Sequence, residues 1–304
     1  MQPGIFGGSD SPLYICIMEF HVIHSGLFKL DGGAMFGVVP KQLWSQQMVP
    51  DERNLVTWAM RLLLVEHGDR LLLVDTGIGN KQSDKFFSHY HLHGDMTLDG
   101  ELAARGFHRS DITDVLLTHL HFDHVGGAVE RRAGDGALRP AFPNATFWSN
   151  ESHWAWATQP NPREKASFLT ENLLPLQESG QLHFIPRAGR WAHEPFGDAF
   201  PGLDIFFADG HTESQIIPVF TRRDGSRLAF MADLLASSAH VPAAWVMGYD
   251  TRPLLTMEDK EIFLGRAAEE GWVLMLEHDA QSEACTVQQT EKGIRLLEKF
   301  ATLP

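Results

Sequence analysis

No stretch of this sequence approaches the roughly 20 consecutive apolar residues that a membrane-crossing helix requires. Only two cysteines, Cys16 and Cys285, occur in 304 residues, too few for a disulfide framework and in keeping with a reducing cytoplasm. Positive charge is short as well. The 25 Lys and Arg face 39 Asp and Glu, and a formal charge of −14 argues against a surface that tracks phosphates. Met1-Gln2-Pro3-Gly4 lacks the charged and apolar regions of a signal peptide. No G-x-S-x-G occurs, so a serine nucleophile elbow has no support. These absences predict a cytoplasmic protein that engages neither nucleic acid nor membrane. At 43% hydrophobic, the chain has the composition and length to bury a substantial core.

The order of apolar runs and turn signals predicts an α/β chain. Residues 1–12 are rich in Gly, Pro and Ser and read as a loose arm, followed by a strand over Leu13–Ile23 and a glycine-rich apolar loop over Gly32–Pro40. Arg61–Glu66 and Leu71–Asp75 flank His67-Gly68-Asp69-Arg70, a hairpin signal. A short helix is expected over Asp99–Gly106 and a buried strand over Val115–Thr118. Between about residues 134 and 201, Pro, Gly and Trp crowd together, and this stretch, with helical spacing over Arg163–Ser179, reads as an insertion or cap. Strands follow at Leu203–Phe207, Gln215–Thr221 and Arg227–Met231, then a helix over Thr256–Glu270, a strand over Trp272–Leu276 and a closing helix over Val287–Phe300. With no repeats, residues 1–304 read as one domain whose halves stack two sheets.

Chemistry concentrates in Thr118-His119-Leu120-His121-Phe122-Asp123-His124-Val125-Gly126-Gly127. Four metal-competent side chains fall within six residues, just past a buried strand. Imidazole with carboxylate suits zinc, iron, manganese or cobalt. In an extended loop His119, His121 and Asp123 point one way, and a turn brings His124 round. Gly126-Gly127 is expected to let the backbone turn closely beneath the ions and start a helix. Downstream, His211, Asp233 and His278 each follow a predicted strand, where rigid elements hold functional groups at their ends. Seven ligands are too many for one tetrahedral ion but suit a pair bridged by a carboxylate. A second alternating run, His89-Tyr90-His91-Leu92-His93, has only Asp95 nearby and no cysteine, and reads as surface or interface histidines.

The run H-x-H-x-D-H-x-G-G with the later His211, Asp233 and His278 resembles the metallo-β-lactamase superfamily. The spacing is similar to that of the N-acyl-homoserine lactonases, and Leu30–Lys41 resembles the YtnP-type quorum-quenching branch. Asp75-Thr76-Gly77 looks like the superfamily's first motif. The resemblance implies an αββα four-layer sandwich with the metals at one edge. It implies further that His119, His121 and His211 hold one divalent ion, Asp123, His124 and His278 the other, and that Asp233 bridges. Asp75 is expected to orient the ligand loop. Zinc is the expected metal, with manganese, cobalt or iron as alternatives, and the resemblance implies a homodimer.

Within that superfamily the residues favour hydrolysis of a small lactone or ester. His121 stands where the di-iron oxygen reductases place glutamate, and Asp233 is not the cysteine of the one-thiolate β-lactam hydrolases. Lys292, Arg295 and Lys299 are too ordinary for the glutathione patch of a thioester hydrolase, and they read as the solvated face of the last helix. The expected reaction is attack of a metal-bridging hydroxide on the carbonyl of an N-acyl-homoserine lactone, with Asp123 relaying a proton to the ring oxygen. Many such lactonases carry a tyrosine where this chain has Ala236. Organophosphate hydrolases lack it too, which keeps phosphotriester hydrolysis as the alternative. Met35, Phe36, Trp245 and Met247 are the expected apolar substrate contacts, and His240 or Tyr249 the candidates to replace the missing phenol. An acyl chain would gain roughly 0.8 kcal/mol per buried CH₂ on such a surface.

Overall fold

Leu62, Leu64, Leu71 and Leu73 pack into one buried cluster, while Leu63, Val65, Leu72 and Val74 pack into another. This is the two-residue period of strands covered on both faces, and it sets the layers of the molecule. The computed structural model describes residues 18–304. Along the chain these form β1 (Glu19–Asp31), α1 (Gly32–Phe36), α2 (Lys41–Trp44), β2 (Leu55–His67), β3 (Arg70–Val74), α3 (Asp84–Phe87), α4 (Leu98–Ala104), β4 (Asp114–Leu116), α5 (Phe122–Val125), β5 (Val129–Arg131) and β6 (Leu138–Pro140). Then come β7 (Thr146–Ser149), α6 (Glu151–Thr158), α7 (Thr170–Glu178), β8 (Leu182–Phe184), β9 (Trp191–Ala192), β10 (Leu203–Ala208), β11 (Gln215–Thr221) and β12 (Arg227–Phe230). The chain closes with α8 (Pro253–Glu270), β13 (Val273–Met275), β14 (Ala284–Thr290) and β15 (Gly293–Phe300).

A six-stranded sheet runs β1-β2-β3-β4-β7-β8, and a seven-stranded sheet runs β15-β14-β13-β12-β11-β10-β9. Leu63, Val65, Leu72, Val74 and Leu116 of the first sheet share the main core with Phe207, Ile216, Phe220 and Phe230 of the second. The opposite face of the first sheet packs on Leu102, Trp154, Leu173 and Leu176 of α4, α6 and α7. On the second sheet, Phe263 of α8 lies 5.2 Å from Phe206 and 5.4 Å from the ring of Trp272. The expected αββα sandwich is what the chain forms. Helix α8 begins with Pro253 and stops at Gly271, which takes φ 68, the usual asymmetry of helix ends.

Three expectations need correction. The closing helix is a hairpin: β14 pairs with β15 from Ala284↔Phe300 to Thr290↔Gly293, so Lys292, Arg295 and Lys299 lie in or beside edge strands. Leu296, Leu297 and Phe300 stand at helical spacing, but Gly293 at φ 85 turns the chain back and β14 is already held to β13. Residues 134–201 are woven into the scaffold and not laid over it, since β7 pairs in parallel with β4 and β8 with β7. The glycine-rich loop contains α1, whose Asp31 side chain accepts from Ala34 N. The loose arm, Cys16 and the start of the Leu13–Ile23 strand lie outside the described residues; β1 itself begins at Glu19. No helix among the described residues is long and apolar enough to cross a membrane.

One buried cation holds the long loop after β12. Lys260 of α8 is 1% exposed, and its Nζ donates to the carbonyls of His240 at 2.5 Å, Pro242 at 2.9 Å and Trp245 at 2.9 Å. Lys260→Met removes every one of these donors and strands buried carbonyls. The variant should lose about 3 kcal/mol of unfolding free energy in denaturant titration, and a loss under about 1 kcal/mol would refute this bracing role.

Candidate metal centre

The candidate ligands leave the ends of β4, β10, β12 and β13, so four strands from both sheets deliver them to one edge, with Asp75 joining them from the end of β3. Two short glycines let the first loops touch. A Cβ on Gly127 would lie 2.1 Å from the Thr76 carbonyl oxygen, and one on Gly126 would lie 2.2 Å from that of Ile78. Only glycine lets residues 75–79 lie this close to the ligand loop, and Thr76 N then donates to His124 O at 2.8 Å. The glycines therefore serve a close approach; α5 has already begun at Phe122 before them. Asp75 itself sits at φ 60, a conformation that few non-glycine residues adopt.

All seven predicted ligands meet. His119 Nε2 and His211 Nε2 lie 3.0 and 3.1 Å from His121 Nδ1. On the other side His124 Nε2 lies 3.3 Å from His278 Nε2 and 3.9 Å from Asp123 Oδ2. The Asp233 carboxylate stands between the groups, with Oδ2 3.0 Å from His211 Nε2 and Oδ1 3.1 Å from His278 Nε2. Each group's ligand atoms fall within 4.8 Å of one another, and all seven residues are buried.

The outer edge of each ring explains why these nitrogens crowd. His124 Nδ1 faces Asp75 Oδ2 at 3.0 Å, His211 Nδ1 faces Asp250 Oδ1 at 2.9 Å, and His278 Nδ1 faces the Ala59 carbonyl at 2.8 Å. His119 Nδ1 lies 3.1 Å from the Thr118 hydroxyl, which donates in turn to Asp75 Oδ2 at 2.6 Å. Acceptors on the outside place the ring protons there and leave lone pairs facing inward. Lone pairs at 3.0–3.3 Å cannot satisfy one another, and the buried Asp233 Oδ1 has no hydrogen-bond donor. A pair of cations fits this donor set. The local potential agrees: burial opposes charge on His211, yet Asp233 and Asp250 raise it to about 10, while Asp233 and Glu277 carry His278 to about 9. Asp75 sits where a ligand-loop holder was expected, since it also accepts from Thr118 N at 2.8 Å.

Beside the ligands opens a cavity of about 340 Å³. His121, Asp123, His211, Asp233 and His278 form its polar floor, and Phe28, Leu30, Met35, Phe122 and Met247 give it apolar walls. Met35, Met247 and Tyr249 line the cavity. Phe36, Trp245 and His240 do not line it. Phe36 is fully buried, stacked on Trp44 at 5.2 Å and on His240 at 4.6 Å, with Trp245 edge-on at 5.9 Å. His240 is spent on structure: Nε2 donates to Met35 O at 2.9 Å and Nδ1 accepts from Ser237 Oγ at 2.7 Å. Ala236 is buried beside this cluster. His93 of the alternating run bonds to the His91 carbonyl and Thr57, and this run forms no metal-competent group among the described residues.

Several contributors had no signal in the sequence. Asp250 and Glu164 lie in loops far from any ligand in sequence, Glu277 precedes His278, and each ends against a ligand imidazole. Tyr90 and Arg163 line the cavity from distant segments. His153 of α6 is fully buried; its Nε2 accepts from Leu120 N at 2.9 Å and its Nδ1 donates to the Glu213 carbonyl at 2.5 Å. It clamps the His119–His121 segment to the loop after His211.

A family model described as the metallo-beta-lactamase superfamily matches residues 62–266. Among solved structures, a probable metal-dependent hydrolase from Staphylococcus aureus superposes with a TM-score of 0.81 at 28% identity, covering 94% of this chain and 97% of that one. AidC, a dizinc quorum-quenching lactonase, gives 0.74 at 19% identity over 93% and 95%, and the hydrolase AbOPH gives 0.71 at 18% over 96% and 95%. At these lower identities the likeness shows the fold alone. A probable metallo-hydrolase of Mycobacterium tuberculosis is 29% identical over 143 residues, 44% of this chain and 37% of that protein, so the match spans little more than a third of its length.

The His153 clamp works only when the ring is neutral, and burial first, then His121, holds its pKa down to about 3. The unfolded ring titrates near 6.5, so this clamp contributes in full above that pH and weakens as pH falls toward 3. His153→Gln should be less stable than wild type at pH 7, and the gap should narrow by about 2 kcal/mol at pH 5. A gap that stays constant in denaturant titrations at the two pH values would rule out the neutral-ring clamp.

Proposed function

The chain belongs to the metallo-β-lactamase superfamily, and from that premise we propose that it is a dimetal hydrolase opening the lactone ring of N-acyl-homoserine lactones. The observation that carries this reading is the cavity: a polar floor of ligand side chains under a wall of Phe28, Leu30, Met35, Phe122 and Met247. Such a space takes a compact carbonyl at one end and an apolar chain at the other. His119, His121 and His211 would hold one ion, Asp123, His124 and His278 the other, with the two oxygens of Asp233 shared between them. Zinc is the ion this reading favours, in a cytoplasmic homodimer. When bound, the pair supplies an acidified water as nucleophile and a Lewis acid for the substrate carbonyl.

The chain's own residues then do the rest. Asp123, at the cavity floor and 8% exposed, accepts the proton of the attacking water on a carboxylate oxygen and returns it to the ring oxygen as the ester bond breaks. The apolar wall aligns the acyl chain, and closure by Tyr249 and the residues around Arg163 limits water on that side. Tyr249 and Tyr90 are the phenols available to the substrate carbonyl, because Ala236 offers none and lies outside this cavity. Partial burial first, then Asp123, pushes the Tyr249 hydroxyl up to about 12, so it stays a hydrogen-bond donor at neutral pH.

Phosphotriester hydrolysis is the second reading, carried by the alanine at position 236 where a lactonase-type tyrosine would stand. A pH-stat screen across lactones of rising acyl length, simple esters, thioesters and phosphotriesters separates the readings. Acid release that grows with acyl length on lactones is expected; turnover confined to phosphotriesters or thioesters would replace the lactonase reading. Asp123→Asn should retain at least one ion by elemental analysis and lose activity at least about a hundredfold. A wild-type kcat in that variant would end the proton-relay assignment.

A further inference from the structure

One of the five imidazoles is turned the other way. His119, His124, His211 and His278 point Nε2 inward, whereas His121 points Nδ1 inward and Nε2 outward. The outward Nε2 is buried without a hydrogen bond and faces Glu164 Oε1 at 3.4 Å, an oxygen in the same condition. Glu164 is 3% exposed, and its other oxygen accepts from Trp156 Nε1 and Asn161 Nδ2, both at 2.6 Å. A carboxylate fixed through one oxygen leaves the other free to accept, and the buried donors that face Glu164 are His121 Nε2 and the Thr212 hydroxyl. Of the two, His121 is the candidate ligand.

We propose that Glu164 is the positioning residue of the first cation: by accepting the Nε2–H of His121 it turns the Nδ1 lone pair inward, which ties the ion's affinity to the turn between α6 and α7. This rests on the metal-centre reading above. An imidazole that is to coordinate through Nδ1 must carry its proton on Nε2, and a neighbouring carboxylate both selects that tautomer and strengthens the donor. The turn is seated for the purpose. Phe122 N donates to Ser167 O at 3.0 Å, and Phe168 packs on the His121 ring at 4.8 Å. The bland alternative is that Glu164 only braces Trp156 and Asn161.

Zinc titration of the metal-free protein against a chromophoric chelator, with melting curves of metal-free and loaded samples, separates the two roles. Wild type should bind two ions. Glu164→Ala should weaken one binding step 10–100-fold, the same step that His121→Ala removes, and leave the other within about twofold. Glu164→Gln, which keeps an acceptor but no charge, should fall between. Trp156→Phe removes a bracing contact and should lower the metal-free melting temperature without a selective loss of one ion. Two ions bound by Glu164→Ala with wild-type affinity, or both weakened alike, would overturn the proposal while the metal centre stands. A wild type that takes up no ion would overturn the centre and the proposal with it.

Discussion

Four imidazole rings are hydrogen-bonded at their outer nitrogen and the fifth, His121, faces a carboxylate there, and the active edge follows from that constraint. Asp75, Asp250, Thr118, Glu164 and the Ala59 carbonyl supply the grips, and they come from β2, from the ends of β3 and β4, and from two loops. Because the outer positions hold the protons, the inner nitrogens converge as bare lone pairs around one carboxylate. Buried acceptors with no donor cost several kcal/mol as a group, so this arrangement is stable as a site for positive charge and poor as an empty core. The neighbouring acids draw charge in the same sense, raising His211 and His278 despite their burial.

Holding these loops still takes a second set of buried polar groups, and they too gather at this edge. Arg61 donates through Nη1 to the carbonyls of Leu276, Asp279 and Ser282 around His278. Asp279 accepts from Ser238 N at 3.0 Å and so joins the His278 loop to the one bearing Asp233. Asp259 of α8 accepts from Asp209 N at 2.7 Å and Gly210 N at 3.1 Å beneath His211. Gly210 is required there, since a Cβ would lie 2.1 Å from Thr256 N. Charge is thus buried where loops must be rigid, and the sheets behind are mostly Leu, Ile, Val and Phe, with Arg61, Asp114 and Asp204 as buried charged residues in strands. The fold separates what gives cohesion from what gives position.

The same separation explains what the sequence could tell. The ligands were legible because four of them share six residues and the other three each follow a strand. The two-sheet architecture was legible because β3, β10, β11 and the second half of β2 are buried apolar runs. The grips were not. Asp250 and Glu164 are single acids in loops, indistinguishable by type or spacing from the many that are solvated, and only tertiary contact singles them out. His240 and Phe36 misled for a related reason: they neighbour the site in sequence, but an aromatic stack with Trp44 and Trp58 absorbs them. The closing hairpin was hidden because Leu296, Leu297 and Phe300 match the helical period, whereas the edge strand leaves Leu297 exposed.

Chemistry and selectivity are carried by different parts of this molecule. The ligands and most of their grips hang from strand ends of two packed sheets, where a displaced side chain would disturb the common core. Phe28 and Leu30 of β1 and Phe122 of the ligand loop give a fixed part of the wall, while the rest comes from connections: Met35 from α1, Tyr90 from the turn after α3, Met247 and Tyr249 from the loop under Lys260. A connection can change length or side chain with little effect on the sheets. Wall residues can therefore vary the substrate while the reaction stays the same. The turn between α6 and α7 is the exception, because it presents Arg163 to the cavity and Glu164 to a ligand at once. A change there moves wall and centre together, which makes this turn the place where selectivity and metal affinity are physically linked.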